Sequence, residues 1–412
     1  MKYGLIGEKL GHSFSAEIHS RLESNDYVLQ ELSANEIESF FKEKDFCGIN
    51  VTIPYKQTVI PYLDDISPRA REIGAVNTVV NKNGALYGDN TDFCGLKRLI
   101  EKTVGVIAEK KVLILGSGGT SKTALAVAKD MGASVIHRVS RSGKEDAVTY
   151  EYAYEKLTDT EILINTTPVG MFPNVDGMPV DIDKFPSLCG VIDVIYNPIS
   201  TKLVLKAKER GIPASGALYM LVCQAVAASE MFCGVKYPEA LWESIYKELL
   251  TKKQNIVLTG MPSSGKTTVG KIIAEKTGRS FYDIDDEIVK TAGMDIPAIF
   301  SEKGEEYFRN LESAEAKRLS TLNGCVISCG GGTVLRQENV FALKQNGVVF
   351  FIDRPLEKLM PTADRPLSSD RIAIEKRYNE RIDIYKSTCD MRITADESAE
   401  KIAEIIGKEF FN

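Results

Sequence analysis

The sequence predicts an α/β protein with parallel sheets, in which two complete proteins follow each other in one chain of 412 residues. Short apolar strands alternate with helical runs over about residues 1–99, which is the pattern of an α/β unit. Glycine-bounded turns then join a strand to a helix at residues 111–131 and again at 255–278. A phosphate loop normally follows the first strand of its domain. The late position of the second turn therefore predicts a second protein behind a complete first one.

The overall composition is that of a globular protein with more than one core. The chain is 43% hydrophobic and 26% charged, and no apolar run approaches the roughly 18 residues of a membrane helix. The first residues form a strand followed by glycine and lack the apolar region of a secretion signal. The net charge of -6 argues against a general nucleic-acid surface. We therefore expect a cytoplasmic protein that binds neither membrane nor nucleic acid.

The cysteines and histidines form no recognisable site. Eight cysteines are scattered without a Cys-x-x-Cys pair, and the chain has three histidines. Neither a zinc cluster nor a disulfide framework is predicted, and Cys325 and Cys329 are expected to be small core residues.

Polar residues collect at the ends of the first strands, which are expected at about 3–6, 48–53 and 75–80. These residues are Ser13, Ser15, Thr52, Lys56, Asn77 and Asp92. Ligands bind at such strand ends in an open α/β sheet. A lone Ser-x-Ser is more often a turn, and a lone lysine is usually a surface group. Taken together, the hydroxyls, amide, lysine and carboxylate suit a small polyhydroxylated acid.

A dinucleotide-binding turn is predicted after the strand at 111–115. It reads Gly116-Ser117-Gly118-Gly119-Thr120 and opens a helix over 122–131, with Ser121 where a third glycine is usual. The next strand, at 134–139, ends in Ser140-Arg141-Ser142. An arginine there suits the 2′-phosphate of NADP, whereas NAD-specific proteins usually carry an acidic residue. The alternative, that Arg141 is only a surface charge, stays open at this point. Strands at 162–165 and 191–194 continue the parallel sheet, and a helix at about 217–232 is expected to return to the first domain.

The second glycine-rich turn has the spacing of a nucleotide phosphate loop. Gly260, Gly265, Lys266 and Thr267 match G-x-x-x-x-G-K-[ST] between a strand at 256–259 and a helical run to 278. In such a loop, backbone N–H groups surround the phosphates, the lysine meets the outer phosphates and the threonine ligates Mg²⁺. Strand, loop and helix agree, so we favour this interpretation over a chance glycine turn.

Further polar residues follow the phosphate loop. Asp283 and Asp285 close a strand, and both can reach a site if the chain turns there. Arg309 lies in a helical stretch, and a glycine triplet follows the strand at 326–328. Arg365 lies in a polar loop, and Arg381 and Tyr385 lie on a charged helix at 370–386. Singly, each arginine is most often a solvated charge and the triplet a flexible turn.

These motifs together resemble shikimate dehydrogenase over about residues 1–250. The matching segments are Gly-His-Ser-Phe-Ser, Asn-Val-Thr-Ile-Pro-Tyr-Lys, Gly-Ala-Val-Asn-Thr, Gly-Asp-Asn-Thr-Asp, Ile-Asn-Thr-Thr-Pro-Val-Gly-Met and Met-Leu-Val-Cys-Gln, in family order. The resemblance implies that Ser13 and Ser15 hold the substrate carboxylate and that Lys56 and Asp92 are the catalytic pair. It also implies that Thr52, Asn77, Tyr196 and Gln224 surround the ring oxygens with that pair. The implied NADP(H) residues are Gly116, Ser117, Gly118, Gly119, Thr120, Ser140, Arg141, Ser142, Val194 and Ala217. The chain departs from the family at Ala16, where proline is usual, and around Gly216-Ala217 beside the nicotinamide.

The remainder, residues 255–412, resembles shikimate kinase. The resemblance implies that Asp283 helps Thr267 to hold Mg²⁺, and that Asp285 orients or deprotonates the accepting hydroxyl. It implies shikimate binding by Arg309, Gly331 and Arg381 as well as Asp285. Lys266 and Arg365, the latter on a lid, would act on the transferring phosphate. The implied ATP residues are Ser263, Ser264, Gly265, Lys266, Thr267, Thr268 and Arg365. The adenine contact of some relatives has no clear match.

The expected function is a pair of successive reactions. NADPH would reduce 3-dehydroshikimate to shikimate, and ATP with Mg²⁺ would phosphorylate its 3-hydroxyl. Two alternatives remain: a nucleotide-regulated sensor that has lost its chemistry, and an NAD-dependent quinate/shikimate dehydrogenase.

The domain boundaries follow from these resemblances. The first protein is expected at 1–252, with a substrate domain at about 1–99 and 217–252 around a Rossmann-like NADP domain at about 100–216. The P-loop kinase domain is expected at 253–412, after a short polar joint, Thr251-Lys252-Lys253-Gln254. The oligomeric state is not predicted.

Overall fold

The structure is a computed structural model of the chain, and it describes residues 2–11, 14–143, 146–360 and 371–411. It divides into two compact units, Met1–Glu248 and Leu249–Asn412. Every sheet is flanked by helices, and parallel pairing dominates, so the predicted α/β fold class is confirmed.

The first sheet of unit 1 carries the predicted substrate residues. Its strands lie in the order β2-β1-β3-β5-β6-β4. They are β1 Tyr3–Gly7, β2 Tyr27–Glu31, β3 Gly48–Val51, β4 Asp65–Ile66, β5 Thr78–Lys82 and β6 Ala85–Asp89. The helices are α1 Ser15–His19, α2 Ile37–Glu43, α3 Pro68–Ile73 and α4 Asp92–Thr103.

One strand of this sheet begins later than the sequence predicted. The sequence predicted a strand at 75–80 with Asn77 near its end, whereas β5 begins at Thr78 and runs antiparallel to β3 and β6. The beginning of β5 therefore lies beside the ends of β3 and β6. This reversal brings Asn77 next to the residues that follow β3 and β6.

The second sheet of unit 1 is parallel throughout its described pairings, in the order β12-β11-β10-β7-β8-β9. Its strands are β7 Lys111–Leu115, β8 Val135–Val139, β9 Ala147–Val148, β10 Ile162–Asn165, β11 Gly190–Asp193 and β12 Ala214–Ser215. Helices α5 Gly119–Asp130, α6 Tyr150–Lys156 and α7 Lys202–Glu209 lie between its strands in the chain. Helix α8 Leu218–Cys233 packs against the first sheet through Ala228 and Phe232, and α9 Glu239–Lys253 follows it. Most residues of β7, β10 and β11 are buried, as expected for strands covered by helices on both faces.

A buried carboxyl joins two of these strands at their carboxyl ends. Asp193 accepts hydrogen bonds from the Asn165 amide at 3.0 Å, the Ile195 N–H at 3.1 Å and the Thr201 hydroxyl at 2.6 Å. Burial raises the pKa of Asp193 from 3.8 to about 7, although these hydrogen bonds oppose the shift.

Unit 2 is built on a parallel sheet in the order β14-β15-β13-β16-β17. Its strands are β13 Asn255–Thr259, β14 Phe281–Asp283, β15 Val326–Ser328, β16 Gly347–Asp353 and β17 Met391–Thr394. The helices are α10 Lys266–Thr277, α11 Ile284–Ala292, α12 Ile296–Lys303, α13 Glu305–Ser320, α14 Gln337–Asn346, α15 Arg371–Thr388 and α16 Ala399–Phe411. The central strand β13 is buried along its whole length, and α10 ends at Gly278 in the left-handed conformation.

The predicted polar joint is instead part of a helix. Residues 251–253 form the last turn of α9, and Lys253 is buried. Within unit 2, the Arg279 guanidinium donates to the carbonyls of Thr251 and Gln254 at 2.6 Å each, and the Gly324 N–H donates to the Lys253 carbonyl at 3.0 Å. These bonds satisfy carbonyl groups that a helix end leaves free, so the polar sequence marks a capped helix end rather than a linker.

Candidate active sites

The predicted catalytic pair of unit 1 is an ion pair. Lys56 lies in the turn after β3, and Asp92 is the first residue of α4. Lys56 Nζ donates to Asp92 Oδ2 at 2.6 Å, and the two side chains are 25% and 14% exposed. The helix N-terminus favours the carboxylate. This leaves an ammonium group that is held in place but still accessible to a ligand.

Asn77 binds the start of α4 and thereby positions Asp92. Its Oδ1 accepts the Thr91 N–H at 2.7 Å and the Thr78 hydroxyl at 3.0 Å, and all three residues are buried. Because Oδ1 is used in this way, Asn77 presents Nδ2 as its remaining hydrogen-bond donor.

A buried polar network, which the sequence reasoning missed, connects Asn77 to Ser15. Tyr27 Oη is hydrogen-bonded to the Ser15 side chain and donates to Asn50 Oδ1 at 2.7 Å. Asn50 Nδ2 donates to the Asn77 carbonyl and to Thr78 Oγ1, at 3.1 Å each. Burial raises the pKa of Tyr27 well above its usual value, so its hydroxyl remains a donor. The sequence does contain one sign of this network: Asn50 is a polar residue inside the apolar strand Gly48–Val51, and a buried polar side chain needs hydrogen-bond partners.

The other predicted substrate residues of unit 1 lie on separate elements. Gln224 lies on α8 opposite Gly95 of α4. A Cβ added to Gly95 would lie 3.2 Å from the Gln224 Cβ, so the two helices pack closely here. Tyr196 follows β11 and packs edge-on against Phe14, the neighbour of Ser15, with ring centroids 6.0 Å apart. Thr52 follows β3. Ser13 lies outside the described residues.

The predicted dinucleotide turn leaves room for a phosphate group. Gly116 has φ +113° and faces the Thr166 hydroxyl, which an added Cβ would approach to 2.6 Å. Gly118 precedes α5 and Gly119 begins it, and no heavy atom lies within 4 Å of a Cβ added to either. Ser117 and Thr120 belong to the same turn. Ser121, in place of a glycine, donates its hydroxyl to the Gly118 carbonyl at 2.8 Å. The start of α5 therefore has open space beside Gly118 and Gly119, which fits a pyrophosphate at a helix N-terminus.

The residues that follow β8 are those predicted to bind the 2′-phosphate of NADP. Arg141 and Ser142 are exposed, while the buried Ser140 Oγ has no partner among the described residues. An unpartnered buried hydroxyl is uncommon and marks a place where a ligand can supply a hydrogen bond. Val194 directly follows β11, and its N–H donates to the Asn165 carbonyl. Ala217 lies between β12 and α8, and its N–H donates to the Ile195 carbonyl.

The phosphate loop of unit 2 has the conformation that its spacing predicted. Gly260 and Gly265 have φ +149° and +96°, and a Cβ on Gly260 would meet the Ile352 carbonyl at 2.7 Å. Lys266 is buried, and its Nζ donates to the carbonyls of Gly260 and Met261 at 3.0 and 2.9 Å. Ser263 donates to the Met360 carbonyl, the buried Ser264 Oγ has no partner among the described residues, and Thr268 lies in the first turn of α10.

The two predicted carboxylates flank the end of β14. Asp283 ends the strand, caps α11 through the Asp285 N–H at 3.0 Å, and accepts the Thr267 hydroxyl at 2.8 Å. Asp285 belongs to the first turn of α11. The Thr267 and Asp283 oxygens fit a Mg²⁺ ion that takes its other ligands from phosphates and water. Within the described part of the chain, no group of three or more His, Cys, Asp or Glu side chains could hold a metal by itself.

Arg309 is held by a buried carboxylate that the sequence reasoning missed. Arg309 Nη1 donates to Glu312 Oε2 at 2.8 Å, and Glu312 Oε1 accepts the Thr333 hydroxyl at 2.7 Å. Burial disfavours the charge of Arg309, but Glu312 and Glu305 raise the pKa of its guanidinium overall. The glycine triplet makes room for this cluster. A Cβ on Gly330 would lie 2.7 Å from carboxylate oxygens of both Asp285 and Glu312.

Arg381 completes a cationic pocket around the triplet. Its Nη1 and the Tyr385 hydroxyl donate to the Gly331 carbonyl at 2.9 and 2.5 Å. Arg377, one helical turn earlier, is a further member that sequence reasoning missed. Burial lowers the pKa of Arg377, and the charges of Arg381 and Arg309 lower it further. Three guanidinium groups are therefore near enough to influence one another, which fits an anionic ligand. Arg365 lies outside the described residues.

The chain is similar to proteins of known function along both units. Residues 5–79 match the model of the shikimate dehydrogenase substrate binding domain, and residues 262–410 match that of shikimate kinase. A shikimate dehydrogenase (NADP(+)) of Clostridium perfringens is 37% identical over 265 residues, which cover 60% of this chain and 97% of that protein.

Solved structures agree with this similarity. A chorismate mutase/shikimate 5-dehydrogenase fusion protein from Clostridium acetobutylicum is 35% identical, with a TM-score of 0.55 over 60% of this chain and 96% of that one. A shikimate 5-dehydrogenase from Thermus thermophilus, in complex with NADP(H) and shikimate, is 25% identical, with a TM-score of 0.54 over 60% and 99%. Among the described residues, no helix combines the length and apolar character needed to cross a membrane.

Proposed function

The chain belongs to the shikimate dehydrogenase family and carries a shikimate kinase domain behind the dehydrogenase, and we propose on this premise that it performs two consecutive steps. In the first, NADPH reduces 3-dehydroshikimate to shikimate. In the second, ATP phosphorylates the 3-hydroxyl of the shikimate so formed. This order places the chain in the biosynthesis of aromatic amino acids.

The first step requires a proton at the ketone oxygen while a hydride reaches the carbon, and the bound cofactor supplies the hydride. Lys56 is the donor of that proton, because its ammonium group is fixed by Asp92 at 2.6 Å and remains partly exposed. Asp92 orients the lysine and accepts a hydrogen bond from a neighbouring hydroxyl. Asn77 donates through Nδ2 to a ring oxygen, and Ser13 and Ser15 bind the carboxylate.

Arg141 gives the first step its preference for NADPH. The side chain is exposed just after β8, which pairs with β7, the strand that leads into the turn of Gly118 and Gly119. A guanidinium can bind the 2′-phosphate through two parallel hydrogen bonds, whereas the 2′-hydroxyl of NAD offers it no charge.

The second step depends on position and charge more than on covalent chemistry. Lys266 would meet the outer phosphates, and Thr267 and Asp283 would hold Mg²⁺, which would neutralise their charge. Asp285 orients the attacking hydroxyl. Arg309 and Arg381 bind the carboxylate of shikimate, and Arg365 acts on the transferring phosphate.

The comparisons support the combined function: the first part of the chain is similar to shikimate dehydrogenases and residues 262–410 match the shikimate kinase model, so the product of the first proposed reaction would be the substrate of the second. The test supplies 3-dehydroshikimate, NADPH and ATP with Mg²⁺ to the intact chain and identifies the product by mass. We expect shikimate 3-phosphate with ATP, shikimate without ATP, and no turnover without NADPH.

The same assay separates the alternatives. Equal rates with NADH, or a preference for quinate, would replace the first step by that of an NAD-dependent quinate/shikimate dehydrogenase. Nucleotide binding without any turnover would indicate a sensor.

A further inference from the structure

An arginine that neither reaction has used lies against the phosphate loop. Arg354 directly follows β16, the neighbour of β13 in the sheet. A Cβ added to Gly265 would lie 3.7 Å from Arg354 Nη1, with no other heavy atom within 4 Å. The guanidinium therefore borders open space beside the glycine that precedes Lys266.

This guanidinium has no counter-ion among the described residues. Its Nε is buried and lacks a hydrogen-bond partner. The adjacent carboxylate, Asp353, is already bound by Arg392 at 2.5 Å. Lys358, four residues further on, is paired with Asp396 at 2.5 Å. A partly buried charge without a partner is unfavourable, so an anion from outside the chain would stabilise Arg354.

The order of the strands indicates which ligand supplies that anion. Of the residues assigned to shikimate, Asp285 and Gly331 follow β14 and β15, on one side of β13, and Arg381 of α15 reaches that side because it donates to the Gly331 carbonyl. Arg354 follows β16, on the other side of β13. The phosphate loop lies between them and binds the outer phosphates through Lys266. Arg354 is therefore placed on the side of the nucleotide that points away from the acceptor.

The geometry points to Arg354 as a nucleotide-binding residue of the kinase site, whose guanidinium contacts the phosphate chain at its inner, α-phosphate end. This inference rests on the proposed kinase reaction. The planar fork of arginine suits a phosphate with two free oxygens. The contact would fix the inner part of the chain while Lys266 and Mg²⁺ act on the outer part.

The test measures binding and turnover in Arg354→Gln and Arg354→Lys. Calorimetry uses ADP, inorganic tripolyphosphate and adenosine as probes. For Arg354→Gln we expect about 10- to 100-fold weaker binding of ADP and tripolyphosphate, the range of a lost charge-assisted hydrogen bond. Adenosine binding and the KM for shikimate should not change. Arg354→Lys should recover part of the loss, since it keeps the charge without the fork.

Lys358→Gln is the matched control, because it removes a cation of the same segment that is already paired. It should leave ADP affinity unchanged, and an unchanged KM for shikimate in every variant reports that unit 2 has folded. Unchanged ADP and tripolyphosphate affinity in Arg354→Gln would overturn the inference. A selective loss of adenosine affinity would also overturn it, because it would place Arg354 against the base. Failure of the wild-type chain to phosphorylate shikimate would instead refute the proposed function, and the ADP measurement would still decide the role of Arg354.

Discussion

Replacing Gly332 by alanine should displace Arg309 without disturbing the backbone. Gly332 has φ -111° and ψ -6°, which alanine can adopt. A Cβ there would lie 2.1 Å from Arg309 Nη1, 2.5 Å from Cζ and 2.7 Å from Nη2. These atoms are the far end of a flexible side chain, so the guanidinium would move before the glycine triplet did. The substitution therefore acts on the proposed shikimate site more than on the stability of unit 2.

The expected magnitude follows from the contact that is lost. If the guanidinium moves away, one charge-assisted hydrogen bond to the shikimate carboxylate disappears, which is worth about 2 kcal/mol or about 30-fold in affinity. Kinase assays should show the KM for shikimate rising by about that factor, with the KM for ATP unchanged. Gly407→Ala is the control, because no heavy atom lies within 4 Å of a Cβ there. A normal KM for shikimate in Gly332→Ala would refute the role of Arg309.

Other perturbations test other parts of the chain. Lys56→Ala should abolish dehydrogenase activity and spare shikimate phosphorylation in the same preparation; equal loss of both would contradict the assignment. Arg141→Ala should reduce kcat/KM for NADPH by about 30-fold relative to NADH, because about 2 kcal/mol of contact to the 2′-phosphate is lost. An unchanged ratio would remove Arg141 from the site. Asp193→Asn should become more stable relative to the parent between about pH 4 and pH 7 and level off above, as chemical denaturation at several pH values can show. The parent must ionise a buried carboxyl whose pKa is raised to about 7, so it loses stability as the pH rises through that window. A fragment of residues 249–412 should melt at a higher temperature than one of 255–412, because only the longer fragment keeps both carbonyls bound by Arg279; equal melting temperatures would show that this helix end contributes nothing.

The sequence predicted where the candidate site residues lie more completely than which side chains hold them in place. Lys56, Asp92 and Lys266 belong to short motifs whose spacing already implies a turn at a strand end. Their geometry is therefore local, and the structure places Lys56 and Asp92 2.6 Å apart.

The supporting residues could not be predicted, because their role depends on contacts distant in sequence. Glu312 acquires its role from Thr333, 21 residues away, and from the space left by Gly330. Tyr27 acquires its role from Asn50, 23 residues away. Nothing within either segment distinguishes these side chains from ordinary surface or core residues.

The error at the junction of the units has a different cause. Thr251-Lys252-Lys253-Gln254 has the composition of a linker, but helix ends are also polar, and lysines are favourable in a last helical turn. Only the distant Arg279 and Gly324 distinguish the two cases, because they bind the carbonyls of residues 251–254.

The two proposed sites bind the same acid with different groups, and charge explains the difference. In unit 1, hydroxyls and amides surround a single ion pair, Lys56 with Asp92. In the proposed reaction that site would add a proton and a hydride, and the carboxylate of the substrate would take no part in the chemistry, so hydroxyls could bind it. In unit 2 the carboxylate of shikimate must share a pocket with a triphosphate, whose like charge repels it strongly once water is excluded. Arg309, Arg377 and Arg381 would offset that repulsion, and Glu312 holds Arg309 in place at 2.8 Å. A phosphoryl-transfer site built from neutral groups would bind either substrate alone but resist binding both.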